Sequence, residues 1–222
     1  MTGHVHGAPP TAPERKTVSA TRLIVTLGGS GAVFGALIVI AYTLTLPPIE
    51  ANRARRLNAA ITEVLRHPAR YDTLYVVNGE LQRQPPAGVD PKTVEKVYLG
   101  HDKDGVETGY AVVSEAPGFA DQIRVIFGYD AKTKSLLGMK VVENKETPGL
   151  GDRIEKDTNY VKQFAGVVTP ILGAKQGAGK GGKNEVILIT GATISSRIVV
   201  RIINDAVGRL GPALEKGAPE GQ

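Results

Sequence analysis

Residues 23–46 run for 24 positions without a charged side chain. As a helix rising 1.5 Å per residue, that run is about 36 Å long, enough to cross a hydrocarbon core of about 30 Å. Lipid offers no partner to a backbone N–H or C=O, so a crossing segment of this length must be a helix. The run is longer than a signal-peptide core and no small-residue cleavage site follows it. A retained transmembrane helix over 22–46 is therefore expected. It splits the chain into a disordered tail (1–21), the span, and a soluble remainder.

Gly31 and Gly35 form a Gly-x-x-x-Gly pair with Gly28 nearby. Such a pair lets a second helix approach closely, although glycine is common in membrane helices in any case. Pro47-Pro48 is expected to end the span. A juxtamembrane helical linker (47–70) then carries Leu57, Ile61, Val64 and Leu65 as its apolar side, with Pro68 as its stop. Arg15, Lys16 and Arg22 precede the span, and Arg53, Arg55, Arg56 and Arg66 follow it. Charge alone leans slightly toward a cytoplasmic C-terminal domain.

Composition acts by exclusion. There is no Cys, which removes disulfides, iron–sulfur ligation, thiolate catalysis and Cys-based zinc sites together. The net charge of +5 comes from 27 basic and 22 acidic residues that are scattered, with no basic stripe interleaved with aromatics. Nucleic acid is not an expected partner. His4 and His6 lie in the tail and read as solvated, and His67 and His101 have no partner in sequence. Neither a metal site nor a catalytic constellation is expected.

The soluble part reads as α+β. Residues 71–77 form a strand, Asn78-Gly79 a hairpin turn, and the chain returns from Leu81. After a proline-rich loop, strands at 94–99, 108–114, 122–129 and 136–143 form an antiparallel meander, with Ile123, Val125 and Phe127 on one face. Residues 152–164 have weak helical character. The Gly- and Lys-rich stretch 173–182 reads as a flexible loop. Gly177 to Lys183 fits Gly-x-x-x-x-Gly-Lys, but Asn184 replaces the Ser or Thr that would hold Mg²⁺. The stretch also leads into a strand, so nucleoside triphosphate binding is rejected. Residues 186–189 are a buried strand. Residues 197–210 are an amphipathic helix, with Ile198, Ile202 and Ala206 at spacings of four on it and Ile194 continuing the series just before it. A frayed tail (211–222) ends the chain, and the domain is expected over 71–210.

Two stretches carry the chemistry. Thr190-Gly191-Ala192-Thr193-Ile194-Ser195-Ser196 sits where the last strand turns into the last helix. Free N–H groups at a helix start favour an anion, and small residues let a ligand approach the backbone. A phosphate site is one reading, with a hydroxyl that could carry the phosphate covalently. An ordinary Ser/Thr N-cap is the other. The second stretch is Glu146-Thr147-Pro148-Gly149-Leu150-Gly151-Asp152. Pro148-Gly149 suits a type II turn, either as a plain surface turn or as a loop offering hydrogen bonds to a cofactor.

Thr190-Gly191-Ala192-Thr193 resembles the flavinylation motif of the FMN-binding domain family. That family includes the G subunit of Rnf-type electron transport complexes and the C subunit of the sodium-pumping NADH:quinone oxidoreductase. The Glu146–Asp152 run resembles a signature of the former, and the likeness extends over about residues 23–210. At one position the chain departs from the pattern, with Ile187 standing where the family usually has an acidic residue, six before the modified Thr.

The resemblance implies an antiparallel-sheet FMN-binding domain with packed helices, holding FMN through a phosphoester to Thr193. Thr190, Gly191, Ala192, Ser195, Ser196, Glu146, Thr147, Gly149, Leu150 and Tyr110 would surround the cofactor. Phe119 is a further candidate for flavin contact, and Arg197 for charge compensation. It implies a flavin transferase for maturation and an inner-membrane, single-pass protein with its domain on the periplasmic face. It also implies an electron-relay role beside other subunits, with ferredoxin and NAD as distal reactants and ion translocation by integral-membrane partners. The alternatives are a relay in a different membrane redox complex, a stand-alone flavoprotein, or a flavin-free scaffold.

Overall fold

A computed structural model describes residues 19–218, so His4 and His6 lie outside the described residues. The chain divides into two units at Asn52/Arg53. The first is the apolar part of helix α1 (Ala20–Val64), whose side chains through Glu50 are all exposed. By length and composition this helix is long and apolar enough to cross a membrane.

The helix does not end at Pro47-Pro48 as expected but runs through both prolines. Each proline removes one N–H donor to the carbonyl four residues back, a loss of hydrogen bonding rather than an obligatory break. Just upstream, the Thr43 and Thr45 hydroxyls donate to the carbonyls of Val39 and Ala41 at 3.0 and 2.8 Å. The linker helix stops at Val64, where Arg66 and His67 take left-handed backbone angles before Pro68.

The second unit is built on a six-stranded antiparallel sheet in the order β2-β1-β3-β4-β5-β6. Its strands are β1 (Arg70–Val77), β2 (Glu80–Gln82), β3 (Lys96–His101), β4 (Glu107–Pro117), β5 (Gln122–Asp130) and β6 (Ser135–Asn144). Alternation along β5 buries Ile123, Val125, Phe127 and Tyr129 in one core and Ile126 in another. The larger core lies under α4 (Thr193–Lys216), which contributes Val199, Ile202, Ile203, Ala206 and Leu210. Burial of each such aliphatic side chain contributes about 1.5–3 kcal/mol. Against the other face lie Ala60, Ile61 and Val64 of α1, packed on Ala111 and Ile126.

Two short helices, α2 (Arg153–Lys156) and α3 (Thr158–Lys162), follow the sheet. The glycine-rich stretch is not all loop: β7 (Leu172–Ala174) pairs in parallel with β8 (Glu185–Ile187). Helix α4 also passes the expected end at Leu210 and continues through Gly211-Pro212 to Lys216. Ala213 and Leu214 are buried there, so packing rather than propensity extends the helix.

Candidate functional site

β8 delivers the chain to the start of α4 through a bend at Gly191, whose φ is +85°. A side chain is strained at that angle, which accounts for glycine between the strand and the helix. The helix N-cap is Ala192, which offers no side-chain acceptor. None of the neighbouring hydroxyls caps the helix either. Thr193 Oγ1 donates back to the Ile189 carbonyl at 3.2 Å, and Ser196 Oγ donates to Ala192 O at 2.8 Å. The N–H groups of Thr193, Ile194 and Ser195 have no acceptor among the described residues. The N-cap reading of this motif is thus replaced by an open anion-attracting end on a 24-residue helix.

The Glu146 loop closes over that end. Leu150 N donates to Thr147 O at 3.1 Å across the expected turn, and Gly149 sits at φ +79°. Asp152 accepts from Gly149 N at 2.7 Å and fixes the turn from below. Glu146 is 5% exposed. Its Oε1 accepts from the backbone N–H of Phe119 (2.9 Å) and Ala120 (3.1 Å), and its Oε2 accepts from Ser195 Oγ (2.7 Å). One carboxylate therefore ties the β4–β5 turn to the first turn of α4. Burial alone would raise its pKa, but hydrogen bonds from Ser195 and from the Ala120, Phe119 and Asp121 amides outweigh that and leave it lowered. Gly151 makes this packing possible: a Cβ there would lie 2.7 Å from Glu146 Cβ and 2.9 Å from Ser195 Oγ.

The result is a cleft of about 320 Å³ lined by Glu146, Thr147, Leu150, Gly191, Ala192, Thr193 and Ser195, all named from the sequence. Phe119, Gly151 and Ile194 complete the lining. Phe119 is 70% exposed, Leu150 55% and Ile194 54%, so the rim is apolar above a floor of free N–H groups. A flat aromatic ring fits such a rim and a phosphate fits such a floor, which are the two ends of FMN.

Other expected residues fall elsewhere. Tyr110 is 4% exposed within the larger core and does not line the cleft, because its position on β4 points it under α4. Ser196 is fully buried and structural: its carbonyl accepts from Tyr160 OH at 2.8 Å. Thr190 and Gly149 stand outside the lining, with Thr190 Oγ1 donating to Gln176 Oε1 at 3.2 Å. Arg197 is exposed. A nearer cation, not singled out in the sequence, is Arg153. Its Nη1 donates to Thr190 O at 2.8 Å and lies 3.7 Å from where a Gly191 Cβ would stand. No local pattern marks it, since it reaches the site from α2 across 37 residues. His101 is buried beside Asp72 at 3.9 Å, and no metal-ligating cluster exists among the described residues.

The FMN-binding domain family profile matches residues 118–208, a range holding both motifs. The fold is that of NqrC from Shewanella oneidensis, with a TM-score of 0.60 at 14% identity over 75% of this chain and all of that one. The C subunit of the Na⁺-translocating NADH-quinone reductase of Parabacteroides distasonis aligns with a TM-score of 0.50 at 20% identity, over 67% of this chain and 77% of that one. Fold and cleft together define a membrane-anchored FMN-binding flavoprotein of electron transport.

Sequence relatives narrow the class. The G subunit of the ion-translocating oxidoreductase complex of Methanosarcina acetivorans is 30% identical over 84% of this chain and 92% of its own length. Its counterpart from Aliivibrio fischeri is 28% identical over 86% and 89%. The chain belongs to the family formed by the G subunits of ion-translocating oxidoreductase complexes.

Proposed function

We propose that this chain is the electron-relay subunit of an Rnf-type ion-translocating complex between ferredoxin and NAD, with FMN joined by a phosphoester to Thr193. The observation that carries the reading is the meeting of the two motifs in one cleft. The Thr193 hydroxyl there stands beside three unpaired backbone N–H groups.

Each part of the cleft has a chemical task. The N–H groups of Thr193, Ile194 and Ser195 hold the phosphate oxygens, and the helix start favours their negative charge. Arg153 adds a fixed cation beside Gly191. Attachment forms the Thr193 Oγ–P bond and breaks the bond from phosphorus to the leaving group of an activated flavin donor. The leaving group departs with the hydroxyl proton. A flavin transferase performs this step, and Ile187 in place of the acidic residue is then a tolerated variation. Bound flavin supplies one- and two-electron chemistry. Phe119, Leu150 and Ile194 seat the ring and shield part of it from water, while Glu146 keeps the two sides of the cleft in register. The domain stands on the periplasmic face, where covalent attachment prevents loss of the cofactor. Electrons pass through it among the other subunits, which carry out substrate chemistry and ion movement.

The test is flavin fluorescence of the denatured full chain on a gel, made with a flavin transferase, beside Thr193→Val. A bright wild-type band and a dark variant are expected. A dark wild-type band, or a bright Thr193→Val band, overturns the attachment. Copurification with integral-membrane subunits separates a complex subunit from a stand-alone flavoprotein.

A further inference from the structure

A second and larger cavity, about 680 Å³, shares no lining residue with the flavin cleft. It exists because the sheet has a notch. β3 begins at Lys96, whereas β4 runs on to Pro117, so the last residues of β4 pair with β5 on one side and with no strand on the other. The floor of the notch is apolar, made by Leu57, Tyr98, Val113 and Val142. Its rim is charged, and the charges do not balance.

Three of the four acidic groups on the rim are paired with a cation, and Glu155 bonds only the neutral Asn144 among the described residues, so one uncompensated carboxylate stands against three uncompensated cations. Glu143 pairs with Arg53 at 3.4 Å, Glu115 with Arg124 at 2.9 Å, and Glu95 with Arg209. Glu155 accepts from Asn144 Nδ2 at 2.6 Å. Arg56 and Lys92 have no carboxylate partner among the described residues, and Lys96 lies 5.7 Å above the Tyr75 ring. An apolar floor under a surplus of positive charge matches an amphipathic anion. Free phosphate would use only the rim, and an uncharged apolar molecule only the floor.

The bilayer around an apolar span is a source of such molecules. Arg53 follows Leu46, the last residue of the apolar run, by seven positions. Even fully extended, that length of chain reaches at most about 25 Å. We propose that this groove binds an anionic phospholipid, with the headgroup phosphate on Arg56, Lys92 and Lys96 and the upper acyl chain on the apolar floor. Basic juxtamembrane pockets recognise such headgroups by charge. The site operates on either side of the bilayer and does not depend on how the flavin is attached.

The chain has no native Cys, so a single Ser114→Cys carries an environment-sensitive bimane label at the groove. The labelled full chain, in uncharged detergent, is titrated with dihexanoyl phosphatidylglycerol, dihexanoyl phosphatidylcholine or inorganic phosphate. The expected result is a saturable shift with phosphatidylglycerol that needs at least tenfold more phosphatidylcholine and is not reproduced by phosphate. The triple variant Arg56→Gln, Lys92→Gln, Lys96→Gln should weaken phosphatidylglycerol at least tenfold. Arg55→Gln, a neighbouring cation outside the lining, should change it less than twofold. Native mass spectrometry of unlabelled chain should show the same order of retained lipid. Equal response to the two lipids, an equal response to phosphate, or an equal loss from Arg55→Gln would each overturn the proposal.

Discussion

Replacing Glu146 with Gln separates the charge of this buried carboxylate from its shape. In the native protein three close donors converge on it, the Phe119 and Ala120 amides of the β4–β5 turn and the Ser195 hydroxyl, with the Asp121 amide adding a further favourable contribution to the charged form. Hydrogen bonds to a charged group contribute about 1.5–3 kcal/mol and neutral ones about 0.5–1.5 kcal/mol. Gln keeps one acceptor oxygen for the two amides but presents an NH₂ where Oε2 accepted from Ser195. The expected loss at pH 7 is about 2 kcal/mol, or about 4–8 °C in Tm for a domain of this size.

The loss depends on pH in a fixed direction. The folded pKa of Glu146 is lowered, so its contribution is complete above the ordinary value of about 4.3 and fades as pH falls through the folded value. The gap between wild type and Glu146→Gln should therefore narrow at pH 3.5, measured by thermal unfolding of the detergent-solubilised full chain. A variant within about 0.5 kcal/mol of wild type at pH 7, or a gap that is constant with pH, would refute the reasoning.

Gly151→Ala places a Cβ against Glu146 and Ser195 and should cost about 1–3 kcal/mol while lowering flavin content, read by unfolding and by absorbance. Tyr160→Phe removes the buried bond to the Ser196 carbonyl and should cost about 1 kcal/mol by the same unfolding measurement. In Tyr110, burial first and Glu107 second push the hydroxyl up to about 12. That hydroxyl lies in the core, so Tyr110→Phe should leave flavin content and the flavin spectrum unchanged, and a shifted spectrum would return Tyr110 to the site. Thr193→Ser keeps a hydroxyl and should retain in-gel fluorescence that Thr193→Val loses.

The apolar anchor, most strands of the main sheet and the two motifs were legible in the sequence, because each rests on local physics, whereas β7 was hidden in a stretch that reads as loop. A 24-residue uncharged run is long and apolar enough for a span, alternation marks β4 to β6, and the small and hydroxyl residues at 190–196 mark a strand-to-helix junction. Pairwise packing decided the rest. Pro47-Pro48 looked like a stop and 211–222 like a frayed tail, but a helix survives the loss of a donor or two when the turns on either side hold, and burial of Ala213 and Leu214 extends α4 through Gly211-Pro212. Tyr110 and Phe119 looked equivalent as aromatics beside the sheet. Strand register sends one under α4, while the turn leaves the other at the cleft mouth. Glu146 looked like a hand extended to a cofactor, yet its oxygens are taken by amides 26 and 27 residues upstream and a hydroxyl 49 residues downstream. Arg153 carried no local signal at all. Contacts at such separations depend on how the sheet brings distant segments together, which residue-by-residue patterning does not encode.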